Sequence, residues 1–323
     1  MMGRVLSGCI QLGRVSWINS SSVKKCSTTP SSSWKKELPE HIVPLKVGSC
    51  HVYLVGTNHF SQKSVEDVRR IVGVVKPDVV FLELCLKRRG VLTLERIPTI
   101  DEVINARMKK KDYNNLFHLV LSCMYLEIGR ELKIIPGSEF RIAYQEAIKY
   151  GGKVVLGDRP IEVTLKRAQR KVTLSELING CFSPFPTDDE LPLPPSLKKD
   201  CSGIVEFLVG CSKELEDIEM DTINRISQEL SKRLPNLANT LLHERDIFMA
   251  KGILNVAKNR SCVVAVVGMA HLDGIKKHFQ HQQKLDDLSV DDLLTVPPPK
   301  HTAKIITCIG VFMAGVAIIW KYL

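Results

Sequence analysis

Val263-Val264-Ala265-Val266-Val267-Gly268-Met269-Ala270-His271 is an unbroken apolar run that stops at a glycine and delivers a histidine three residues later. A run this short, rich in β-branched residues and closed by glycine, reads as a buried strand. The same phrase stands early in the chain, where Val52-Tyr53-Leu54-Val55 enters Gly56-Thr57-Asn58-His59. Each histidine then lies just past the carboxyl end of a strand. Open α/β sheets bind their ligands at that edge, so the two histidines are candidates for one site.

Working outward from His59, Ser64-x-x-Asp67 carries a capping-box signature, and Val65, Val68, Ile71, Val72 and Val75 recur at helical spacing. Pro77 ends that helix, and Val79-Val80-Phe81-Leu82 reads as the next strand. Strand, helix and strand with short links predict a parallel pair joined by a right-handed crossover. The second strand runs directly into Glu83, on the same sheet edge as His59. The plainer reading of that carboxylate is a simple ion pair with Arg88 or Arg89.

The middle of the chain adds more strand ends. Residues 116–131 read as a helix with Leu116, Val120, Cys123 and Leu126 on one side, and Leu132–Ile135 as a strand stopped by Pro136-Gly137. Ser138 is placed to cap a helix running to about Tyr150, which Gly151-Gly152 ends. Glu139 and Arg141 open that helix and so lie toward the same edge. Lys153-Val154-Val155-Leu156 is then a strand entering Gly157-Asp158-Arg159-Pro160, the third use of the pattern. A helix N-cap with a neighbouring charge is the plainer account of Asp158-Arg159.

Taken together and in order, Gly-Thr-x-His, Val-Val-Phe-Leu-Glu-Leu-Cys-x-x-Arg, Ile-Pro-Gly-x-Glu-Phe-Arg, Val-Val-Leu-Gly-Asp-Arg-Pro-Ile-Glu-x-Thr, Glu-Arg-Asp and Val-Val-Gly-Met-Ala-His resemble the TraB/PrgY family over about residues 50–275. The resemblance implies kinship with the Tiki metalloproteases and a fold similar to the erythromycin-esterase/ChaN group. It also implies a divalent metal held by His59, Glu83 and His271. Arg88, Glu139, Arg141, Asp158, Arg159, Glu244, Arg245 and Asp246 match further family motifs. Of these, Glu139 and Glu244 are the candidates for a general base, and Arg88 and Arg159 the candidate catalytic arginines. Two imidazoles and a carboxylate with open positions suit zinc, manganese, cobalt or iron(II). Such an ion polarises a carbonyl and lowers the pKa of bound water while a carboxylate takes the proton, which makes peptide or protein hydrolysis the expected chemistry.

Past Pro160 the chain becomes helical. Residues 161–180 include a second capping box at Thr173-x-x-Glu176, and residues 183–200 form a loop with five prolines. Pro192-x-x-Pro195 within it has the form of an SH3-type ligand, although a lid or linker is the plainer reading. Residues 203–233 read as helices, and a further one over about 237–258 carries His243-Glu244-Arg245-Asp246. Ile247 breaks the H-E-x-x-H pattern, so a zincin is excluded. Charges at such a position ordinarily form a solvated face. The expected architecture is α/β, a mostly parallel sheet with flanking helices over residues 41–283, interrupted by a helical insertion over about 161–260.

Charge and cysteine usage narrow the function classes. The net charge of +10 is concentrated at the ends: residues 1–36 carry six basic side chains and no acid, and residues 300–323 three lysines and no acid. The body over 37–299 is left with +1, so it offers no basic footprint for nucleic acid. None of the ten cysteines forms a C-x-x-C pair, which excludes a structural zinc site and a thioredoxin-type centre and agrees with a reducing compartment.

Residues 1–40 read as a disordered basic extension, with a transit peptide over 1–36 as the alternative. Residues 284–303 read as a polar, proline-bearing linker. Ile305–Trp320 then contains no charge and is flanked by Lys304 and Lys321. Sixteen helical residues reach about 24 Å, short of the roughly 30 Å hydrocarbon core, a gap that flanking lysines and local thinning close. Residues 304–321 are therefore expected to be a tail-anchor transmembrane helix that inserts after synthesis and leaves the body in the cytosol. A short anchor favours the mitochondrial outer membrane, to which the resemblance also points; the endoplasmic reticulum or a matrix destination set by residues 1–36 are the alternatives. A non-catalytic membrane adaptor, acting in organelle shape or contacts, is the second function class.

Overall fold

The computed structural model describes residues 9–12, 15–18, 39, 41–59, 61–109, 126, 130, 135–173, 175–176 and 220–298. The chain divides into two compact units, residues 1–94, 137–161 and 242–295 in one and 95–136, 162–241 and 296–323 in the other.

The first unit is built on one sheet of seven strands. These are β1 (Cys9–Leu12), β2 (Val15–Ile18), β3 (Ile42–Val47), β4 (Cys50–Thr57), β5 (Val79–Leu82), β6 (Lys153–Leu156) and β7 (Cys262–Gly268), in the order β1-β2-β6-β5-β7-β4-β3. The four central strands β6, β5, β7 and β4 are mutually parallel, and the flanking pairs are antiparallel. Central parallel strands are covered on both faces, which is why they read as continuous apolar runs rather than alternating ones. Val79, Val80, Phe81 and Leu82 are all fully buried, as are Val263 to Val267.

Helices of ten or more described residues are α1 (Gln62–Val75), α2 (Ile100–Lys109), α3 (Ser138–Tyr150), α4 (Ile161–Lys171), α5 (Met220–Arg233), α6 (Glu244–Ala257) and α7 (Met269–Gln280). Val68, Ile71, Val72 and Val75 of α1, with Phe140, Ala143, Tyr144 and Ala147 of α3, pack on Tyr53, Val55, Val80, Leu82, Val264 and Val266. The alternate residues, Val52, Leu54, Phe81 and Ala265 among them, point to the opposite face and are buried there too. Helices α6 and α7 pack on the sheet, and a Cβ at Gly252 of α6 would stand 3.1 Å from the Phe81 ring on that second face.

Local starts and stops differ in places from the sequence expectation. Helix α1 is capped by Ser61, whose Oγ accepts the Ser64 N–H at 3.4 Å, so it begins a turn before the expected Ser64 cap. The Ser64 hydroxyl is already engaged, accepting the Asn58 N–H at 3.0 Å. Helix α3 takes Gly137 rather than Ser138 as its N-cap, and Gly151, at φ 79°, ends it as expected. Two strands, β1 and β2, come from within the stretch expected to be a disordered extension, and β2 pairs with β6 through Ser16↔Leu156 and Ile18↔Val154.

The second unit holds α2, α4 and α5. The expected capping box at Thr173 is present: Thr173 N–H donates to Glu176 Oε2 at 2.9 Å and Glu176 N–H to Thr173 Oγ1 at 3.2 Å. Helix α6, which the sequence assigns to the helical insertion, belongs instead to the first unit with the sheet. The expected strand over 132–135 and the proline-rich loop over 183–200 lie outside the described residues, apart from Ile135. Among the described residues no helix is long and apolar enough to cross a membrane. Residues 304–321, the expected anchor, also lie outside them.

Candidate functional site

Parallel alignment sends all four central strands out at one edge, and each delivers polar side chains there. Strand β4 leads to His59, β5 to Glu83, β6 to Asp158 and Arg159, and β7 to His271 in the first turn of α7. Backbone bonds hold these exits in place. Glu83 N–H donates to Val266 O at 3.1 Å, Gly157 N–H to Leu82 O at 2.9 Å, and Asp158 N–H to Leu84 O at 3.2 Å. A Cβ on Gly157 would fall 1.8 Å from the Phe81 ring, so only glycine lets β6 leave beside β5.

His59 is oriented from behind by a carboxylate. Its Nδ1 lies 2.6 Å from Oε1 of Glu139, which opens α3 and is fully buried. A carboxylate only accepts, so Nδ1 carries a proton and donates it to Glu139, and Nε2 is turned away from that carboxylate. Burial disfavours the charged ring, but Glu139 and Glu83 together raise its pKa, with Arg88 opposing them. The ring keeps a 27% exposed side chain and leans on Phe140, centroids 5.6 Å apart. A Cβ placed on Gly268 would stand 3.3 Å from both His59 Nε2 and Glu83 Oε2. The imidazole and the carboxylate therefore converge over a glycine that leaves the space between them open.

His271 is oriented in the same way. Its Nδ1 lies 2.6 Å from Asp246 Oδ1 in α6, and its Nε2 lies 3.3 Å from Glu83 Oε1 and 2.9 Å from Arg245 Nη1. Burial opposes ionisation of this ring, but Glu83 and Asp246 outweigh it and push the pKa up to about 9. Glu83 accepts the Gly268 N–H on Oε2 at 2.6 Å and Arg245 Nη2 on Oε1. Burial alone would raise its carboxyl; His271 and Arg245 hold it well below the usual carboxylate range. Glu83 thus pairs with Arg245 from a distant helix, not with Arg88 or Arg89. Arg245 also grips Asp158 with two bonds, Nε to Oδ1 and Nη2 to Oδ2, each 3.0 Å. Asp158 is therefore a partner for α6 rather than a helix cap.

The remaining expected residues have other partners. Arg159, fully buried, donates to Glu244 Oε2 at 2.5 Å and to Leu293 O at 3.3 Å. Arg141 donates to Leu94 O and, at 3.4 Å, to Ser138 Oγ. Arg88 is half-buried, and its charge acts on His59 without an ion pair among the described residues. Helix α6 is preceded by a π-helical turn, Asn239–His243, of the kind often found at functional sites. The charged Glu244-Arg245-Asp246 sequence that follows is not a solvated face. Glu244 and Asp246 are buried, and all three side chains point into the site's network.

Arg245, Asp158 and Asp246 are the residues whose roles the sequence does not assign. For Arg245 and Asp246 the sequence signal is three charges in a row at the start of a helix; for Asp158 it is a position just past a strand end. The two Gly-x-x-His phrases also prove unlike each other. A Cβ on Gly56 would press on Leu272 and Met269 of α7, each 3.3 Å away, so Gly56 serves packing whereas Gly268 opens the site.

The resemblance implies a divalent metal, and the donors fit one in kind. Both histidines have Nδ1 held by a carboxylate, as metal-ligating imidazoles commonly do, with Nε2 turned toward the site. Five carboxylates (Glu83, Glu139, Asp158, Glu244 and Asp246) face two guanidiniums, Arg159 and Arg245, so the cluster is rich in negative charge. Glu139 Oε2 is buried without a hydrogen-bond partner. Among the described residues, however, no three His, Cys, Asp or Glu side chains are set as a ready cage. The Arg245 guanidinium contacts both Glu83 and His271, whose facing atoms are themselves 3.3 Å apart.

Known proteins resemble this chain over most of its length. The chain is 29% identical to an uncharacterised protein of Methanocaldococcus jannaschii, over 84% of its own length and 64% of that protein's. It is also 29% identical to the TraB domain-containing proteins of human and mouse, over 79% of its length and 68% of theirs. The pattern of the TraB/PrgY/gumN family matches residues 45–286, which span every strand from β4 to β7 and every site residue above, and the chain belongs to that family.

Proposed function

We propose that this chain is a metal-dependent peptidase or related hydrolase in which His59, Glu83 and His271 hold a divalent ion at the carboxyl edge of the sheet. The observation that carries this reading is the pair of carboxylate-backed imidazoles, His59 on Glu139 and His271 on Asp246, each at 2.6 Å. When bound, such an ion polarises a carbonyl and lowers the pKa of water. The chain's own residues do the rest. Glu139 and Asp246 keep each Nδ1 protonated and each Nε2 directed at the site. Gly268 keeps the space between His59 and Glu83 free for a ligand. Of the two candidate bases, Glu244 is committed to Arg159 and Glu139 to orienting His59, with Glu139 Oε2 buried and without a hydrogen-bond partner.

The proposal includes the setting. Residues 304–321 anchor the chain in the mitochondrial outer membrane and leave this site facing the cytosol. The supporting feature is the charge-free Ile305–Trp320 stretch between Lys304 and Lys321. Carbonate extraction and protease protection of the full chain test it: release by carbonate, or protection of the body, removes the anchor or its topology.

Metal analysis of the purified chain tests the site. One equivalent of a divalent metal, lost in both His59→Ala and His271→Ala, is the expected result; equal metal in all three proteins overturns it. Digestion of a mixed peptide library by the loaded protein then tests hydrolysis. One observation favours a second reading, a non-catalytic membrane adaptor. Arg245 pairs with Glu83 and touches His271, so these two side chains have protein partners of the kind a structural core uses. Metal binding without any peptide cleavage would select that reading.

A further inference from the structure

The residue that the metal reading leaves unexplained is Arg245. It lies on α6, its side chain is 14% exposed, and its guanidinium reaches three of the groups at the strand ends at once. Nη2 donates to Glu83 Oε1 and to Asp158 Oδ2, Nε donates to Asp158 Oδ1, and Nη1 lies 2.9 Å from His271 Nε2.

These contacts leave no room for a metal at the same nitrogen. Transition-metal ions sit about 2.0–2.1 Å from an imidazole nitrogen. Nη1 occupies the hydrogen-bonding direction of His271 Nε2 at 2.9 Å, too near to share that direction with an ion. The charges conflict as well, because a divalent ion and a guanidinium would compete for Glu83. Asp158 supplies a way out. It holds the Nε–Nη2 edge of the fork through both oxygens, so Nη1 can withdraw from His271 while the guanidinium stays paired.

We propose that Arg245 is a built-in competitor for the site: its guanidinium bridges Glu83 and His271 where a cation would bind both, and metal loading requires it to retreat onto Asp158. The inference rests on the metal site proposed above. Arg245 is then a positioning residue that sets how tightly the protein holds its ion. The fork keeps Glu83 ionised and correctly turned without metal, and gives way only to a cation that binds more strongly. Asp158 biases the balance toward the open arrangement.

Calorimetric titration of the metal-stripped full chain with zinc or manganese tests this, in the wild type and in Arg245→Gln, Arg245→Lys and Asp158→Asn. Circular dichroism first establishes which variants are folded. Arg245→Gln is expected to bind metal on the order of tenfold more tightly, the factor equivalent to one charge-assisted hydrogen bond. Asp158→Asn is expected to bind about tenfold more weakly, because Arg245 then leans wholly on Glu83 and His271. Arg245→Lys keeps the charge without the fork and should fall between wild type and Arg245→Gln. A merely structural arginine would weaken binding in every variant or leave it unchanged, and either result overturns the proposal while leaving the metal site intact. Binding by Arg245→Gln but not by wild type would support the proposal in its strongest form. Absence of binding in all four proteins removes both the competitor and the metal reading.

Discussion

Asp246 Oδ2 occupies the space into which a side chain on Gly274 would project: a Cβ there would stand 2.1 Å from Oδ2 and 2.5 Å from Cγ. The carboxylate that orients His271 from α6 is thus admitted by a glycine one turn further along α7. Function and helix packing meet at a single pair of residues.

Gly274→Ala should therefore act as an Asp246 variant without touching Asp246. The added methyl must push Asp246 aside or drive α6 and α7 apart, and overpacking of this kind costs about 1–3 kcal/mol. Displacing the partner of a ligating imidazole typically lowers metal affinity by about 10–100-fold. Denaturant unfolding and metal titration of Gly274→Ala check both effects. Wild-type values for both would show that the two helices simply absorb the methyl.

The Arg159–Glu244 pair separates a catalytic carboxylate from a structural one. Both side chains are buried, at 2.5 Å, and removing one partner from such a pair costs about 3–5 kcal/mol because the other charge is stranded. Glu244→Gln should accordingly lose stability by an amount of that order. A variant that melts like wild type would show that the pairing with Arg159 is not what Glu244 contributes. Urea unfolding decides between the two.

Much of this arrangement can be read in the chain, and the part that cannot has a physical cause. Strands β5 and β6 end where the apolar runs end, because strands buried on both faces tolerate no polar residue within them. Glu83, His59 and His271 follow from their places just past those ends. Arg245 and Asp246 do not, because a helix is read by its periodicity, and α6 buries its charges along with its apolar side. Only the fold shows that Asp158, Glu83 and His271 await those charges. The Ser61 cap was hidden for a similar reason: Ser64 fits the capping pattern equally well until its hydroxyl is claimed by Asn58.

Acid sensitivity is predicted at the opposite edge of the sheet. Asp78 Oδ2 accepts from Ser261 N–H at 2.7 Å, Ser261 Oγ at 2.6 Å and Cys262 N–H at 3.0 Å, tying the start of β5 to that of β7. Burial favours the neutral acid, but these donors prevail and lower its pKa. A carboxyl depressed on folding stabilises the protein above its unfolded value, about 3.9, and that contribution fades as pH falls through the folded value. Asp78→Ala should cost about 1 kcal/mol near neutrality. The gap from wild type should close below pH 4, and a gap that stays constant down to pH 2 would show that ionisation of Asp78 is not the source.

The contact between Gly157 and Phe81 yields the sharpest packing prediction. A methyl on Gly157 cannot coexist with a ring carbon 1.8 Å away, and Phe81 is itself confined by Gly252 of α6, whose own Cβ would lie 3.1 Å from the ring. Because Phe81 is fully buried, Gly157→Ala should cost more than the usual figure of about 1–3 kcal/mol for an overpacked core. Phe81→Leu alone should cost about 1–2 kcal/mol in lost burial. Combined, the two should be less destabilising than their sum, since leucine leaves room for the methyl. The strand exit that carries Asp158 depends on the same contact, so the double variant should also regain metal affinity lost in Gly157→Ala. Strict additivity in unfolding free energy would mean that the ring is not what excludes a side chain from position 157.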